Sequence, residues 1–375
     1  MRCLTIDLGT TFAKLAVYAL EDNQPRVLHS LRLPSGVGTY DGSPASVAQF
    51  LRLCADLQAA VDDCLTRYAI DRIGLTGIRE GLVLLDEALQ PLWVSGNAVL
   101  DGPHLLDLPI GDIAIGGMLP DLLVRHPNVC AGVTLQGYLA HLLGGRLAIT
   151  VSELDAWGLL NPSGASRAAA QRLLQNVLKV EVGASLGTHH KYPATDLYLA
   201  GSDEQASHYG AGVGVSADLG LATATFWSLT APTVTTPLRF PEVRYIPKAG
   251  PYCAAASIIG YRWGPYLQEA LSNQRPILPE KLPRWAVGEL LRYLRQSEPL
   301  DHEELVTAAV ADLQAAFDVL TRLGNIPSNP TIVVHGGGLT GLPTFTTEVM
   351  QRLGHHWIEL PGDATQLGCY LAGRL

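Results

Sequence analysis

Short apolar runs open the chain. Residues 2–8, 12–19 and 26–33 are rich in Leu, Val, Ile and Tyr and are separated by Gly-Thr-Thr and Glu-Asp-Asn-Gln-Pro, so they predict three antiparallel strands. From Pro44 to Tyr68 the apolar positions Val47, Phe50, Leu51, Cys54, Leu57, Val61 and Leu65 recur at the spacing of an amphipathic helix. Strands at Arg72–Thr76 and Leu82–Leu85 follow. Helical stretches come next, around Leu119–Arg125, Val133–Leu143 and Ser166–Leu178, before a strand at Asp196–Ala200 and a helix from Asp203. A second set repeats the theme, with strands near Leu219–Leu229, helices at Ala254–Leu271, Ala286–Leu294 and His302–Leu323, and a final strand–helix–strand–helix. In the longest of these helices Val306, Ala309, Val310, Leu313, Phe317 and Leu320 form one face. The change near 190–200 predicts two domains, 1–195 and 196–375, each long enough to bury its own core.

Composition narrows the function classes. The 375 residues are 47% hydrophobic and 16% charged with a net charge of −9, and no Lys/Arg cluster stands out. That balance argues against nucleic acid or an anionic membrane as the main partner and leaves a small ligand. No apolar run reaches the roughly 20 residues of a membrane span, and no signal peptide pattern opens the chain. The six cysteines are scattered without metal-ligand spacing, as expected of reduced thiols in a cytoplasmic protein.

Candidate chemistry lies on two glycine-bearing turns, each after a predicted strand. Ile6-Asp7-Leu8-Gly9-Thr10-Thr11 brings together a carboxylate, two hydroxyls and a flexible backbone, with Lys14 adding a nearby cation. This set suits Mg²⁺ and a phosphate; it also suits a plain hairpin turn. Gly336-Gly337-Gly338-Leu339-Thr340-Gly341 fits the glycine pattern of dinucleotide sites, with Glu359 18 residues beyond Gly341. Only 34 residues follow Gly341, too few for the further strand–helix units of a doubly wound domain. The other reading is a backbone that lets adenine and ribose lie close. Two such turns far apart point to ATP held between two lobes.

Asp203, in Gly201-Ser202-Asp203-Glu204-Gln205-Ala206, stands at the mouth of an apolar helix. It either caps that helix or takes a proton from a hydroxyl attacking a γ-phosphate. Arg79-Glu80 is either a surface pair or a donor fork and acceptor for adjacent hydroxyls. The pairs His189-His190 and His355-His356 read as no metal site.

Taken in order, these segments resemble the FGGY family of carbohydrate kinases, with an N-terminal half like that of autoinducer kinases or xylulokinases. The resemblance implies an α/β fold of two ribonuclease-H-like (actin-like ATPase) domains around a central cleft, sugar mainly on the first and ATP on the second. It identifies Asp7, Gly9, Thr10, Thr11 and Lys14 with the first phosphate motif, and Asp7 with Mg²⁺ held through water. Thr223 and Thr225, in Leu221-Ala222-Thr223-Ala224-Thr225, resemble the second phosphate turn. Gly336, Gly337 and Gly338 resemble the adenosine motif, with Asp363–Gly368 as the closing helix packed behind it. Arg79, Glu80 and Asn97 would contact substrate hydroxyls, and Asp203 would be the general base. The expected ligands are therefore ATP, Mg²⁺ and a small sugar or polyol, with a homodimer as one assembly the family allows.

Three departures accompany the resemblance. Ala224 stands where glycine is usual, the segment after Asn97 lacks the usual charged contacts apart from Asp101, and both the insertion between Asp101 and Met118 and the lid between Thr235 and His302 are short. They give the alternative of a catalytically weak or inactive protein of the same fold, binding nucleotide or sugar as a sensor or partner subunit. A third reading, an NAD-dependent enzyme, would use Gly336–Gly341.

Overall fold

The computed structural model describes residues 1–79, 81–96, 115–157, 159, 164–223, 227–233, 244–246, 248, 252–260, 263–278, 288–296, 300–323, 326–336, 341–360 and 362–374. The chain divides into two compact units. The first is Met1–Gly210 with Lys248–Tyr252 and Thr365–Leu375; the second is Ala211–Pro247 with Cys253–Ala364.

The first unit begins with the expected meander: β1 (Arg2–Leu8), β2 (Phe12–Glu21) and β3 (Gln24–Pro34). The helix Pro44–Arg67 follows, its N-terminus capped by the Ser43 side chain, which accepts the Ser46 N–H, with proline at its first position. β4 is Arg72–Gly77. After it come β5 (Leu82–Leu85), β6 (Pro91–Ser95), β7 (Ala131–Val133), β8 (Ala148–Thr150), β9 (Leu178–Val180), β10 (Ser185–Thr188) and β11 (Asp196–Ser202). The main sheet has the order β10-β11-β4-β1-β2-β3, while β5 joins β6 and β7 in a small separate sheet and β8 pairs with β9. Leu4, Ile6 and Leu8 of β1 and Leu15 and Val17 of β2 are buried in one core with Phe50, Leu53 and Leu57 of the long helix. Each such side chain contributes about 1.5–3 kcal/mol on leaving water.

The second unit repeats this plan. Its strands are β12 (Leu219–Thr223), β13 (Trp227–Pro232), β14 (Arg244–Ile246), β15 (Ala255–Gly260), β16 (Thr331–His335) and β17 (His356–Glu359), in the order β14-β15-β13-β12-β16-β17. In both sheets an antiparallel three-strand meander continues into two parallel neighbours: β3-β2-β1-β4-β11 corresponds to β15-β13-β12-β16-β17. The helix His302–Leu323 buries Val306, Ala309, Leu313 and Leu320 against Leu221 and Val334 in the second core. This is the duplicated architecture that the sequence pattern predicts.

Several local expectations are corrected. The domain boundary expected at 195/196 falls inside the first unit, because β11 pairs in parallel with β4 and cannot leave that sheet. Ala255–Gly260 is a strand rather than the start of a helix; its alanines favour helix, but the ladder to Trp227–Pro232 overrides that preference. The helix expected from Val133 begins at Leu135, since Thr134 accepts the Gly137 N–H and caps it. The helix expected to run to Leu178 ends at Leu174, and Leu178–Val180 forms β9. The closing helix, Ala364–Ala372, belongs from Thr365 onward to the first unit. There Gln366 accepts the Thr5 hydroxyl and donates to the Lys14 carbonyl at 2.7 Å, so the helix packs on β1 and β2. Among the described residues no helix is long and apolar enough to cross a membrane.

Candidate active site

Three neighbouring parallel strands of the first unit end together. The register pairs Asp7 of β1 with Thr76 of β4, Leu8 with Gly77, and Gly77 with Ser202 of β11. Their C-terminal ends therefore deliver three segments to one edge of the sheet: the Gly9-Thr10-Thr11 turn, Ile78-Arg79, and Asp203. In open α/β sheets this is the edge where ligands bind.

The turn is braced from behind. The Ser35 hydroxyl donates to the carbonyls of Gly9 and Thr10 at 2.7 and 3.0 Å, and the N–H groups of Ser35 and Gly38 bond the Thr11 and Thr10 carbonyls at 3.0 Å each. Its carbonyls are thus drawn back toward the protein. Asp7, whose side chain is 3% exposed, receives Lys14 Nζ at 3.1 Å, a pairing set by the Asp7↔Lys14 register of the hairpin.

Asp203 is the first residue of the helix Asp203–Gly210. A register shift between Leu199 and Ser202 and a Thr76 Oγ1 bond to the Gly201 carbonyl at 2.9 Å fix where that helix starts. Ser202 Oγ accepts the Gln205 N–H at 3.4 Å, and Asp203 Oδ1 accepts the Glu204 N–H at 2.8 Å. Capping is thus shared, and the positive end of the helix favours an anion at this position. Arg79 Nη1 meets Glu204 Oε2 at 3.3 Å.

Sequence reasoning missed several supports. Trp157, fully buried, donates Nε1–H to the Arg79 carbonyl at 3.1 Å. Glu153 lies in the core, where burial pushes its carboxyl above the usual carboxylate range against the opposing pull of hydrogen bonds from Thr150 and Gln136. The Thr150 hydroxyl in turn accepts the Glu153 N–H at 3.2 Å, making a capping box whose Thr-x-x-Glu spacing was readable in the sequence. Glu204 and Trp157 carry no such local signal, because their partners lie 125 and 78 residues away.

In the second unit β12 and β16 run parallel, with Ala222 opposite His335, so Thr223 and Gly336 sit side by side at their ends. The buried Thr223 hydroxyl donates to the His335 carbonyl at 2.9 Å. Gly336 has φ +104°, and a Cβ there would come within 3.2 Å of the Thr223 backbone, so only glycine fits. Thr223→Val should leave that carbonyl without its donor and cost about 1–3 kcal/mol of stability. Urea unfolding checks this; an unchanged midpoint would show that the hydroxyl does not tie the two strand ends. The doubly wound context required by the dinucleotide reading is not what surrounds Gly336, since its sheet contains an antiparallel meander and, among the described residues, only β17 follows β16.

Glu80, Asn97, Asp101, Ala224, Thr225, Gly337 and Gly338 lie outside the described residues. The structure thus brings together Asp7, Gly9, Thr10, Thr11, Lys14, Arg79 and Asp203 in the first unit, and Thr223 with Gly336 in the second.

No protein-family model and no curated protein matches the sequence. Solved structures do. A ligand-bound xylulose kinase from Lactobacillus acidophilus is similar over 100% of this chain and 89% of its own, with TM-score 0.70 and 12% identity. A gluconate kinase from the same organism covers 100% and 88%, with TM-score 0.68 and 12% identity. The Plasmodium falciparum glycerol kinase with ADP covers 99% and 88%, with TM-score 0.66 and 13% identity. At such identities the likeness is one of fold, and it runs the length of the chain: the protein has the two-domain actin-like ATPase fold of the carbohydrate kinases.

Proposed function

We propose that the protein is an ATP-dependent kinase that phosphorylates a hydroxyl of a small sugar, ketose or polyol. One observation carries the reading: the Asp7–Thr11 turn, Arg79 and Asp203 converge at the ends of three adjacent parallel strands, in a fold shared with xylulose and glycerol kinases. Asp203 would take the proton of the acceptor hydroxyl as that oxygen bonds to the γ-phosphorus and the bond to ADP breaks, while Arg79, Glu80 and Asn97 orient the acceptor.

The donor sets fit the nucleotide. Magnesium is commonly held by one or two carboxylates together with substrate phosphates, and buried Asp7 beside the Gly-Thr-Thr turn is such a carboxylate. Bound magnesium would neutralise phosphate charge as it develops. Within the first unit Lys14 and the Gly9-Thr10-Thr11 turn would hold phosphate; within the second, Thr223 and Thr225 would hold phosphate and Gly336–Gly338 adenosine. Gly336 accepts only glycine because a Cβ there meets the Thr223 backbone at 3.2 Å, and a strand end free of side-chain bulk is compatible with the adenosine assignment.

Calorimetric titration separates this reading from the NAD alternative. MgATP and MgADP should bind, and NADH should not displace them; tighter binding of NADH would refute the assignment. Ala224 favours a second reading, a sugar-kinase-fold protein that binds nucleotide or sugar as a sensor or partner subunit without turnover, because a Cβ there can hold a phosphate off the backbone. A soluble cytoplasmic protein suits both readings.

A further inference from the structure

Trp157 belongs to none of the motifs that carry the kinase reading, yet the one polar group of its side chain is directed at one of them. The ladder between β1 and β4 ends at the Leu8↔Gly77 pair, and the Ile78 N–H bonds the Leu8 carbonyl at 3.2 Å. Arg79 comes next in the chain, past the sheet. Its carbonyl accepts the Trp157 indole N–H at 3.1 Å, across 78 residues of sequence. Its guanidinium meets Glu204 Oε2 at 3.3 Å, on the helix that Asp203 begins. Arg79 is thus held at both ends, by its backbone and by its side chain.

The donor is itself firmly seated. Trp157 is 1% exposed and lies in the core of the first unit. Its backbone N–H bonds the Glu153 carbonyl at 2.9 Å and continues the turn of the helix Val151–Ala156. That helix starts from the Thr150–Glu153 capping box, in which Glu153 Oε2 accepts the Thr150 N–H at 2.9 Å and the Thr150 hydroxyl at 2.8 Å. A ring packed on every side holds its N–H in one direction. A residue just beyond a strand end keeps its orientation only through such anchors, and a displacement of about 1 Å at a binding group can cost about 100-fold. We propose that Trp157 is a positioning residue: through the Arg79 carbonyl it sets where the Arg79 guanidinium meets the acceptor. The inference rests on the kinase reading in taking Arg79 as an acceptor contact.

The test is equilibrium binding to the full chain of glycerol, xylulose and sorbitol, each with MgADP present, and of MgADP alone. Trp157→Phe keeps an aromatic ring in the core and removes the N–H. The probe that the wild type binds most tightly should bind this variant about 10- to 100-fold more weakly, with MgADP affinity within about threefold of wild type. Thr195→Val is the matched control. The buried Thr195 hydroxyl donates to the Ile70 carbonyl at 2.8 Å, ahead of the opposite end of β4, so this variant also strips a carbonyl of a buried donor. It should lose comparable thermal stability and leave the affinity for the probe within about threefold. Equal loss of probe affinity in both variants overturns the proposal, as does a Trp157→Phe protein that loses MgADP affinity to the same degree or binds the probe as wild type does. Thr150→Val, which removes the cap of the helix leading to Trp157, should weaken the probe in the same direction. An unchanged affinity there overturns the proposal even where Trp157→Phe does not fold. A wild type that binds MgADP and none of the three probes overturns the acceptor site of the kinase reading, and the inference with it; a wild type that binds a probe while the variants fail the comparison overturns the role of Trp157 alone.

Discussion

Replacing Asp203 by alanine should lower kcat by a factor of about 10² to 10⁴ and leave MgATP affinity within about threefold. The size follows from the role. A positioned general base removes a proton from the attacking hydroxyl in the transition state, and its loss leaves that proton to water. The selectivity follows from the structure. The Ser202 hydroxyl already accepts the Gln205 N–H, so the helix keeps a cap when the Asp203 side chain goes. The truncation removes the acceptor of the Glu204 N–H and a favourable charge at the helix N-terminus, together about 1–2 kcal/mol, too little to unfold the unit. Asp203→Asn should behave like the alanine variant, because it keeps the shape and removes the base. Steady-state kinetics with circular dichroism as a fold control decides the point, and an Asp203→Ala protein of unchanged turnover would remove this residue from the mechanism.

The largest expected effect on stability comes from Gly368→Val. A Cβ at Gly368 would lie 1.7 Å from the Ala206 carbonyl oxygen, 2.6 Å from the Ala206 carbonyl carbon and 2.9 Å from the Gly210 nitrogen. All three are backbone atoms, so no rotamer change makes room. Ala364–Ala372 seats against the helix that begins at Asp203 only because this position has no side chain. Valine must push the two helices apart, at a cost of about 3 kcal/mol or more. Thermal unfolding should fall by roughly 6–12 °C, and turnover should fall with it because the displaced helix carries Asp203. Gly341→Ala is the matching control: a Cβ there meets nothing within 4 Å. A Gly368→Val protein as stable as Gly341→Ala would contradict this account of the closing helix.

Both predictions depend on features of different legibility in the sequence. Strand alternation and the helix of Pro44–Arg67 were readable because their signals are local: a Gly-Thr-Thr turn, a Ser-Pro start and a regular apolar stripe. The order of the motifs was enough to suggest the duplicated fold. What escaped was long-range. Ala255–Gly260 reads as helix until its ladder to β13 is known, and the path of the chain back into the first unit at Thr365 has no local mark. The same holds at the site. Asp7 and Asp203 announced themselves through turn and helix-start chemistry and Arg79 as half of a charged pair, whereas Glu204 gained meaning only from the fold, which sets Arg79 beside it across 125 residues. Gly368 looked like part of a closing motif; its importance lies in the backbone of a helix some 160 residues earlier in the chain.

The most direct test of the kinase reading is ADP release from MgATP by the purified protein, measured against pooled polyols and ketoses of three to seven carbons. The account predicts ADP formation that depends on one of the pools and disappears in Asp203→Ala. No ADP with any pool, from protein that demonstrably binds ATP, would contradict it and leave the binding-only reading, with Ala224 as the first residue to revert to glycine.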